Sequence, residues 1–171
     1  ERRFDREPHA ARQTALSQEL VRIAGEDWDE TTQVALAEHA LQIGNLPLAL
    51  RLFRRLEARR SDLGAGWYAR IAGLALGNGE YRHAAQLLLV ARRRAATRIE
   101  RREHFLAAVA ALHAGNLPGE AVALADANLG ELADDQEVLY RVVEWARAAN
   151  RADLADKYVR LLLRLSLLRQ L

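Results

Sequence analysis

The side chains that most often carry out catalysis are sparse in this sequence and form no recognisable pattern. The five histidines have neither the i, i+4 spacing nor the glutamate partner of a zinc-binding helix: His9, His39, His83, His104 and His113. There is no cysteine, so a thiol nucleophile and a cysteine-ligated metal are excluded. None of the three serines lies in a Gly-x-Ser-x-Gly turn. We therefore predict no enzymatic activity, no bound metal and no cofactor.

Glycines and paired acids that could bind phosphate or transfer protons have simpler structural explanations. Gly77-Asn78-Gly79 is followed by Glu80 and not by the Lys-Ser or Lys-Thr of a phosphate-binding loop, so it predicts the end of a helix. Asp134 and Asp135 stand where a helix should begin, and there a carboxylate caps free N–H groups.

Two stretches concentrate charge of opposite sign. Six arginines form a candidate basic patch: Arg92, Arg93, Arg94, Arg98, Arg101 and Arg102. Four carboxylates further along form a candidate acidic patch: Glu131, Asp134, Asp135 and Glu137. The arginines predict either a solvated helix junction or a surface that binds protein or phosphate. Nucleic acid is not an expected partner, because Phe105 is the one aromatic residue close enough in sequence to stack a base beside them.

The composition is that of a folded globular chain. It has 171 residues, of which 50% are hydrophobic and 28% charged. Its net charge of +2 gives no general reason to bind nucleic acid or anionic lipid. No stretch approaches the roughly 20 apolar residues that cross a bilayer. Because the sequence contains no methionine and ends in a leucine-rich helix, we expect it to be a segment of a larger protein.

The elements that position these residues are all predicted to be helical. Apolar residues recur at helical spacing, good helix formers dominate, and no segment alternates as a strand does. Capping patterns mark three helix starts, at Asp27-x-x-Glu30, Thr97-x-x-Glu100 and Asp134-x-x-Glu137. The prediction is an all-α fold with about nine helices, at 8–25, 28–43, 47–60, 64–77, 80–95, 98–114, 118–130, 135–149 and 151–170.

The turns between the helices repeat. Gly-Asn-Leu-Pro occurs at 44–47 and again at 115–118. Each of four such turns is followed by an alanine that opens the next helix, at Ala49, Ala84, Ala121 and Ala155. These alanines are 35, 37 and 34 residues apart. A period near ~34 with two helices per unit is typical of tetratricopeptide repeats.

The chain resembles the tetratricopeptide repeat (TPR) family at further positions of its motif. A small residue in the first helix is matched by Ala37 and Ala72, and a large apolar residue in the second helix by Phe53 and Leu88. The resemblance implies a right-handed α-solenoid of helical hairpins. Its boundaries would be a helix from a preceding repeat at 1–27 and four degenerate repeats at 28–63, 64–97, 98–133 and 134–171.

The family register also implies a groove that binds a peptide or a helix. Its inward-facing candidates are Glu38, Gln42, Ala69, Gly73, Leu106, His113, Tyr140, Glu144 and Arg147. The lysine and asparagine clamp with which some TPR proteins hold a C-terminal carboxylate is missing, since Lys157 is the single lysine. A chaperone-tail adaptor of that kind is therefore disfavoured.

As a whole, the arginine-rich chain is similar to the periplasmic TPR regions of outer-membrane proteins that export the Pel exopolysaccharide. This resemblance implies a periplasmic scaffold joined to a C-terminal outer-membrane β-barrel, which recruits a periplasmic polysaccharide deacetylase or hydrolase for polymer secretion and biofilm formation. The exported polymer carries free amines, so the acidic patch could guide it. The alternative is the TPR sensor arm of a bacterial transcriptional regulator. Its neighbours would be a nucleotide-binding domain upstream and a helix-turn-helix downstream, in place of the β-barrel.

Overall fold

The computed structural model describes residues 28–43, 45–59 and 64–168, and before them the isolated positions 12, 15, 16, 18, 19 and 22. Within these residues there are α-helices, one 3₁₀ helix and no β-strand, which confirms the all-α prediction. The α-helices are α1 (Glu30–Gln42), α2 (Leu46–Arg59), α3 (Ala65–Gly77), α4 (Tyr81–Arg94), α5 (Arg98–Ala114), α6 (Pro118–Asn128), α7 (Gln136–Ala148) and α8 (Ala152–Leu168).

The helix boundaries agree with the sequence prediction to within two residues. One segment differs in the type of helix it forms. The helix predicted over 118–130 ends at Asn128 and is followed by a 3₁₀ helix, Gly130–Asp134. Gly130 has a φ of +54°, which an α-helix cannot accommodate, and Leu132 of the 3₁₀ helix is fully buried. Of the helix predicted at 8–25, the six described positions are helical and the rest lies outside the described residues.

The starts of α1, α5 and α7 are capped by short polar side chains, although not always by the predicted one. Thr97 and Glu100 form the expected capping box. The prediction for Asp134 was wrong: Asp135 is the N-cap of α7, because its side chain accepts from the N–H of Val138. At α1 the carboxylate of Asp29 accepts from the N–H of Thr32 at 2.8 Å, whereas the predicted cap Asp27 lies outside the described residues.

Two of the repeated turns, those at Asn116 and Asn150, close their helices by the same hydrogen bond. Asn116 and Asn150 have φ values of 56° and 55°, the left-handed conformation that ends a helix. The residue after each donates back across the last turn, from Leu117 to the carbonyl of Leu112 and from Arg151 to that of Ala146. Asparagine is one of the few residues besides glycine that adopts this conformation at low cost.

The four alanines of the predicted repeat occupy equivalent places. Each donates its backbone N–H to the carbonyl four residues earlier, at 2.9–3.0 Å, in the first turn of α2, α4, α6 or α8. Ala49, Ala84 and Ala121 are completely buried, and Ala155 is 6% exposed. A larger side chain at these positions would push apart the helices that meet there. The repeat in the sequence is thus a repeat in local structure, while the solenoid stays a prediction.

The chain divides into two compact units. The first comprises Glu1–Leu63 and Gly73–Asn78, and in it α1 packs against α2 around Ala37, Ala40 and Phe53. The second comprises Gly64–Ala72 and Gly79–Leu171. There α4 packs on α5, α5 on α6, α6 on α7 and α7 on α8, so that each helix contacts its neighbours in sequence.

The turn between α5 and α6 approaches the start of α4 so closely that it leaves room only for glycine. A Cβ at Gly115 would lie 2.7–2.8 Å from the Cβ, Cγ and Cδ2 atoms of Tyr81. We expect Gly115→Ala to lower the free energy of unfolding by about 1–2 kcal/mol, since these atoms lie near the backbone and cannot easily move aside. Urea titration followed by circular dichroism measures this.

Gly73→Ala is the matched control for Gly115→Ala. A Cβ at Gly73, inside α3, meets no atom within 4 Å. Alanine is the better helix former there, so this variant should be more stable by roughly 0.5–1 kcal/mol. Equal destabilisation of both variants would contradict the close contact with Tyr81.

Candidate interaction surface

The candidate basic and acidic patches meet within the second unit. Arg98, Arg101 and Arg102 lie on the first turns of α5, and their partners lie on the 3₁₀ helix and the start of α7. Three ion pairs join the two sets. They are Arg98 with Asp134, Arg101 Nε with Glu131 at 2.6 Å, and Arg102 Nη2 with Glu137 at 2.5 Å.

A fourth contact links the same surface to a helix cap. Arg102 Nε lies 3.0 Å from the carboxylate of Asp135, which also caps α7. Arg141 of α7 adds a contact of 3.3 Å to Glu137. The carboxylates of the acidic patch therefore face arginines of the same chain, and the two patches form one ion-pair network.

Arg92 has a different role from the other arginines of the basic patch. It extends from the last turn of α4, and its guanidinium donates to the carbonyls of Asn128 and Leu129, the latter at 3.0 Å. The same guanidinium lies 5.0 Å from the ring centroid of Phe105, which is completely buried. A cation at this place satisfies carbonyls at the C-terminal end of α6, where the helix dipole is negative.

The remaining two arginines are exposed at the end of α4. Arg94 lies over the ring of Tyr68 at 5.7 Å, and Arg93 has no hydrogen bond or ion pair with any described residue. Phe105 and Tyr68 are buried beneath arginines, with 0% and 4% exposure, so neither presents a free face for a nucleobase.

The ion pairs shift the pKa values of several groups. The hydrogen bond from Arg101 holds the pKa of Glu131 below its usual value, and the hydrogen bond that Arg98 donates to Asp134 raises the pKa of Arg98. Burial lowers the pKa of Arg92, while the charge of Glu131 acts in the opposite direction. Glu131 is consequently ionised at neutral pH.

Two other ion-paired sites of the second unit were not predicted from the sequence. Arg82 of α4 makes two bonds to Glu120 of α6, at 2.6 and 2.8 Å. Asp126 of α6 accepts from Lys157 at 2.7 Å and from the hydroxyl of the buried Tyr158. In both sites the bonded residues lie on different helices and are 31–38 positions apart in sequence, which is close to the repeat period.

We expect the protein to lose stability in acid as these carboxylates are protonated. The pKa of Asp153, beside Arg151, falls to about 2, and those of Glu120, Asp126 and Glu131 are also lowered by their cationic partners. Groups with lowered pKa values stabilise the fold above their unfolded pKa, and this contribution is lost as the pH falls through the folded pKa. The melting temperature should be level down to about pH 5 and fall between about pH 4.5 and 2.

The effect of salt on melting provides the control for the acid transition. At 1 M NaCl the exposed ion pairs are screened, so the fall in melting temperature should be shallower than at low salt. A melting temperature that does not change between pH 5 and 2 would contradict a stabilising role for these carboxylates.

The predicted groove residues are divided between the two units. Glu38, Gln42 and Gly73 belong to the first unit. The others belong to the second, on α3, α5 and α7: Ala69, Leu106, His113, Tyr140, Glu144 and Arg147. Tyr140, Glu144 and Arg147 are exposed along α7, Tyr140 to 61%.

One aromatic residue absent from the predicted groove contacts it. The rings of His113 on α5 and Trp145 on α7 are 5.8 Å apart and tilted by 42°. The family register assigned the groove position to Glu144, and Trp145 is the next residue along the chain. Trp145 does not share the i, i+4 spacing of Tyr140 and Glu144, so the predicted register did not include it.

Within the described residues no group of three histidine, aspartate or glutamate side chains could hold a metal ion. None of the described helices is sufficiently long and apolar to span a membrane. In comparisons with known proteins, no protein-family model matches the chain and no curated protein sequence is similar to it.

Proposed function

We propose that this chain is a non-catalytic scaffold of the TPR type, in which stacked helical hairpins hold another protein. We further propose that it forms the periplasmic part of an outer-membrane exopolysaccharide export protein. There it would recruit a deacetylase or hydrolase that modifies the polymer, in support of secretion and biofilm formation.

The observation that carries the scaffold proposal is the fourfold repetition of a buried alanine whose backbone N–H donates to the carbonyl four residues earlier. A single helical hairpin cannot bury its apolar face, so hairpins of this kind stack on one another. Stacking produces a long surface lined by helices, which suits a peptide or helix better than a small substrate. The narrower part of the proposal rests on the resemblance of the arginine-rich sequence to the periplasmic TPR regions of Pel export proteins.

A protein is a better candidate partner than the exported polymer. The acidic patch would attract a polymer bearing free amines, but its carboxylates already face Arg98, Arg101 and Arg102. A polycation would have to displace these arginines, which lowers the gain from binding.

Removal of the acidic patch tests polymer binding directly. If the polymer binds at the acidic patch, replacing Glu131 and Glu137 by Gln, and Asp134 and Asp135 by Asn, will weaken its association in co-sedimentation. Asparagine caps a helix as well as aspartate does, so the start of α7 is kept. If this variant associates with the polymer as well as the unmodified chain does, the acidic patch is not a polymer-binding site.

The decisive experiment is a pull-down of periplasmic and cytoplasmic extracts on the immobilised 171-residue chain. A parallel bait carries Arg93→Glu and Arg94→Glu, which leaves Arg92 and its carbonyl contacts intact. A control bait with the same change in charge carries Arg51→Glu and Arg160→Glu, at two exposed positions on α2 and α8. Mass spectrometry identifies the proteins retained, and circular dichroism verifies that each bait is folded.

Recovery of a periplasmic polysaccharide-modifying enzyme by the unmodified bait would support the proposal, and binding by the purified enzyme would establish a direct contact. If the bait with Arg93→Glu and Arg94→Glu fails to retain the enzyme while the control bait retains it, the enzyme binds at the end of α4. Recovery of only cytoplasmic proteins or nucleic acid would reject export and favour the sensor arm of a regulator.

A further inference from the structure

A small cavity lies beside the ion-pair network, where the end of α4 faces the end of α6 and the 3₁₀ helix. Its volume is about 280 Å³, and its lining residues are Leu89, Arg92, Arg93, Arg101, Asn128 and Glu131. Sites for drug-sized molecules begin at about 300 Å³. The size therefore fits one side chain or small ion.

The cavity carries an excess of positive charge. Three guanidinium groups and one carboxylate line it, which leaves a formal charge of +2. Glu131 is bound to Nε of Arg101 and its charge also acts on Arg92, but one carboxylate cannot balance three guanidinium groups. The cavity is electrostatically suited to an anion.

Two of the arginines have donors available for such an anion. The guanidinium of Arg92 has five N–H groups, and its hydrogen bonds to the carbonyls of Asn128 and Leu129 use two of them. Arg93 is exposed and makes no hydrogen bond to a described residue. Because Arg92 is half-buried, its attraction for an anion is screened less than that of an arginine in bulk water.

We propose that this cavity binds one carboxylate, presented by a glutamate or aspartate side chain of a protein partner, with Arg92 and Arg93 as its donors. The inference rests on the proposed scaffold function for the source of the carboxylate. Leu89 supplies an apolar wall for the methylene groups of that side chain.

A carboxylate fits the cavity better than a phosphate does. Glu131 already binds an arginine in the same cavity at 2.6 Å, which shows that carboxylate and guanidinium can pair there. The negative charge of Glu131 would also repel a dianion more strongly than a monoanion. Phosphate, in addition, has no apolar stem to place against Leu89.

Peptide titrations monitored by NMR test the proposal on the whole chain. The probe is acetyl-Ala-Glu-Ala-amide, with acetyl-Ala-Gln-Ala-amide and inorganic phosphate as comparison ligands. The readout is the chemical shift of the Nε–Hε signals of Arg92 and Arg93. Arg93→Gln tests the site, and Arg51→Gln is the matched control at an exposed arginine of α2.

We expect a saturable shift with the glutamate peptide only, weakened roughly fivefold or more by Arg93→Gln and unchanged by Arg51→Gln. Three results would overturn the proposal: no saturable shift with the glutamate peptide, equal binding of the glutamine peptide, or tighter binding of phosphate. Since these titrations need no partner protein, their failure would leave the pull-down result for the scaffold function unaffected.

Discussion

Phe105→Ala is expected to lower the free energy of unfolding by about 3–5 kcal/mol, the largest effect of any single change considered for this chain. The ring is completely buried in α5, and the guanidinium of Arg92 covers it at 5.0 Å. Alanine would leave a cavity in the core of the second unit and also remove the contact between cation and ring. Urea-induced unfolding measured by circular dichroism gives the difference directly.

The matched control lies on the same helix. Ile99 is 70% exposed, so Ile99→Ala should change the free energy of unfolding by less than about 0.5 kcal/mol. If both variants unfolded at the same urea concentration, Phe105 could not be part of the packed core.

Arg92→Gln is expected to lower the free energy of unfolding by about 2–3 kcal/mol. Hydrogen bonds from charged groups contribute more to stability than neutral ones, and the cation over Phe105 is lost as well. The half-buried carbonyls of Asn128 and Leu129 would lose their charged donor. The end of α6 and the 3₁₀ helix should therefore loosen first. Hydrogen exchange of the amides between residues 128 and 135 locates the effect.

Arg93→Gln separates the role of Arg92 from the general effect of removing a positive charge. Arg93 is the adjacent residue, exposed and without a partner among the described residues. Its replacement should change stability by less than about 0.5 kcal/mol. Comparable destabilisation by Arg92→Gln and Arg93→Gln would show that the carbonyl contacts of Arg92 contribute little.

The sequence was sufficient to predict the helices and the repeated turns, because both depend on local chemistry. Asn116 and Asn150 end helices through their own backbone conformation, and Ala121 and Ala155 mark the helix starts that follow these turns. Signals of this kind act over four or five residues, so they can be identified without knowing the tertiary structure.

The contacts of the candidate site could not be predicted in the same way. Arg98 and Asp134 are 36 residues apart, and nothing local indicates that their side chains meet. The choice of Asp135 over Asp134 as the cap depends on the 3₁₀ helix, which in turn depends on Gly130 and on burial of Leu132. A basic and an acidic patch that look independent in sequence are thus one network once α5 and α7 are positioned.

The packing of each helix on its neighbours in sequence has a consequence for folding kinetics. In the second unit the strongest helix contacts join consecutive elements, from α4 on α5 to α7 on α8. Such a low contact order requires only short loops to close before packing begins, and helical proteins of this kind fold in microseconds to milliseconds. A helix emerging during synthesis meets its packing partner as soon as the next helix follows, so folding of this unit can keep pace with translation.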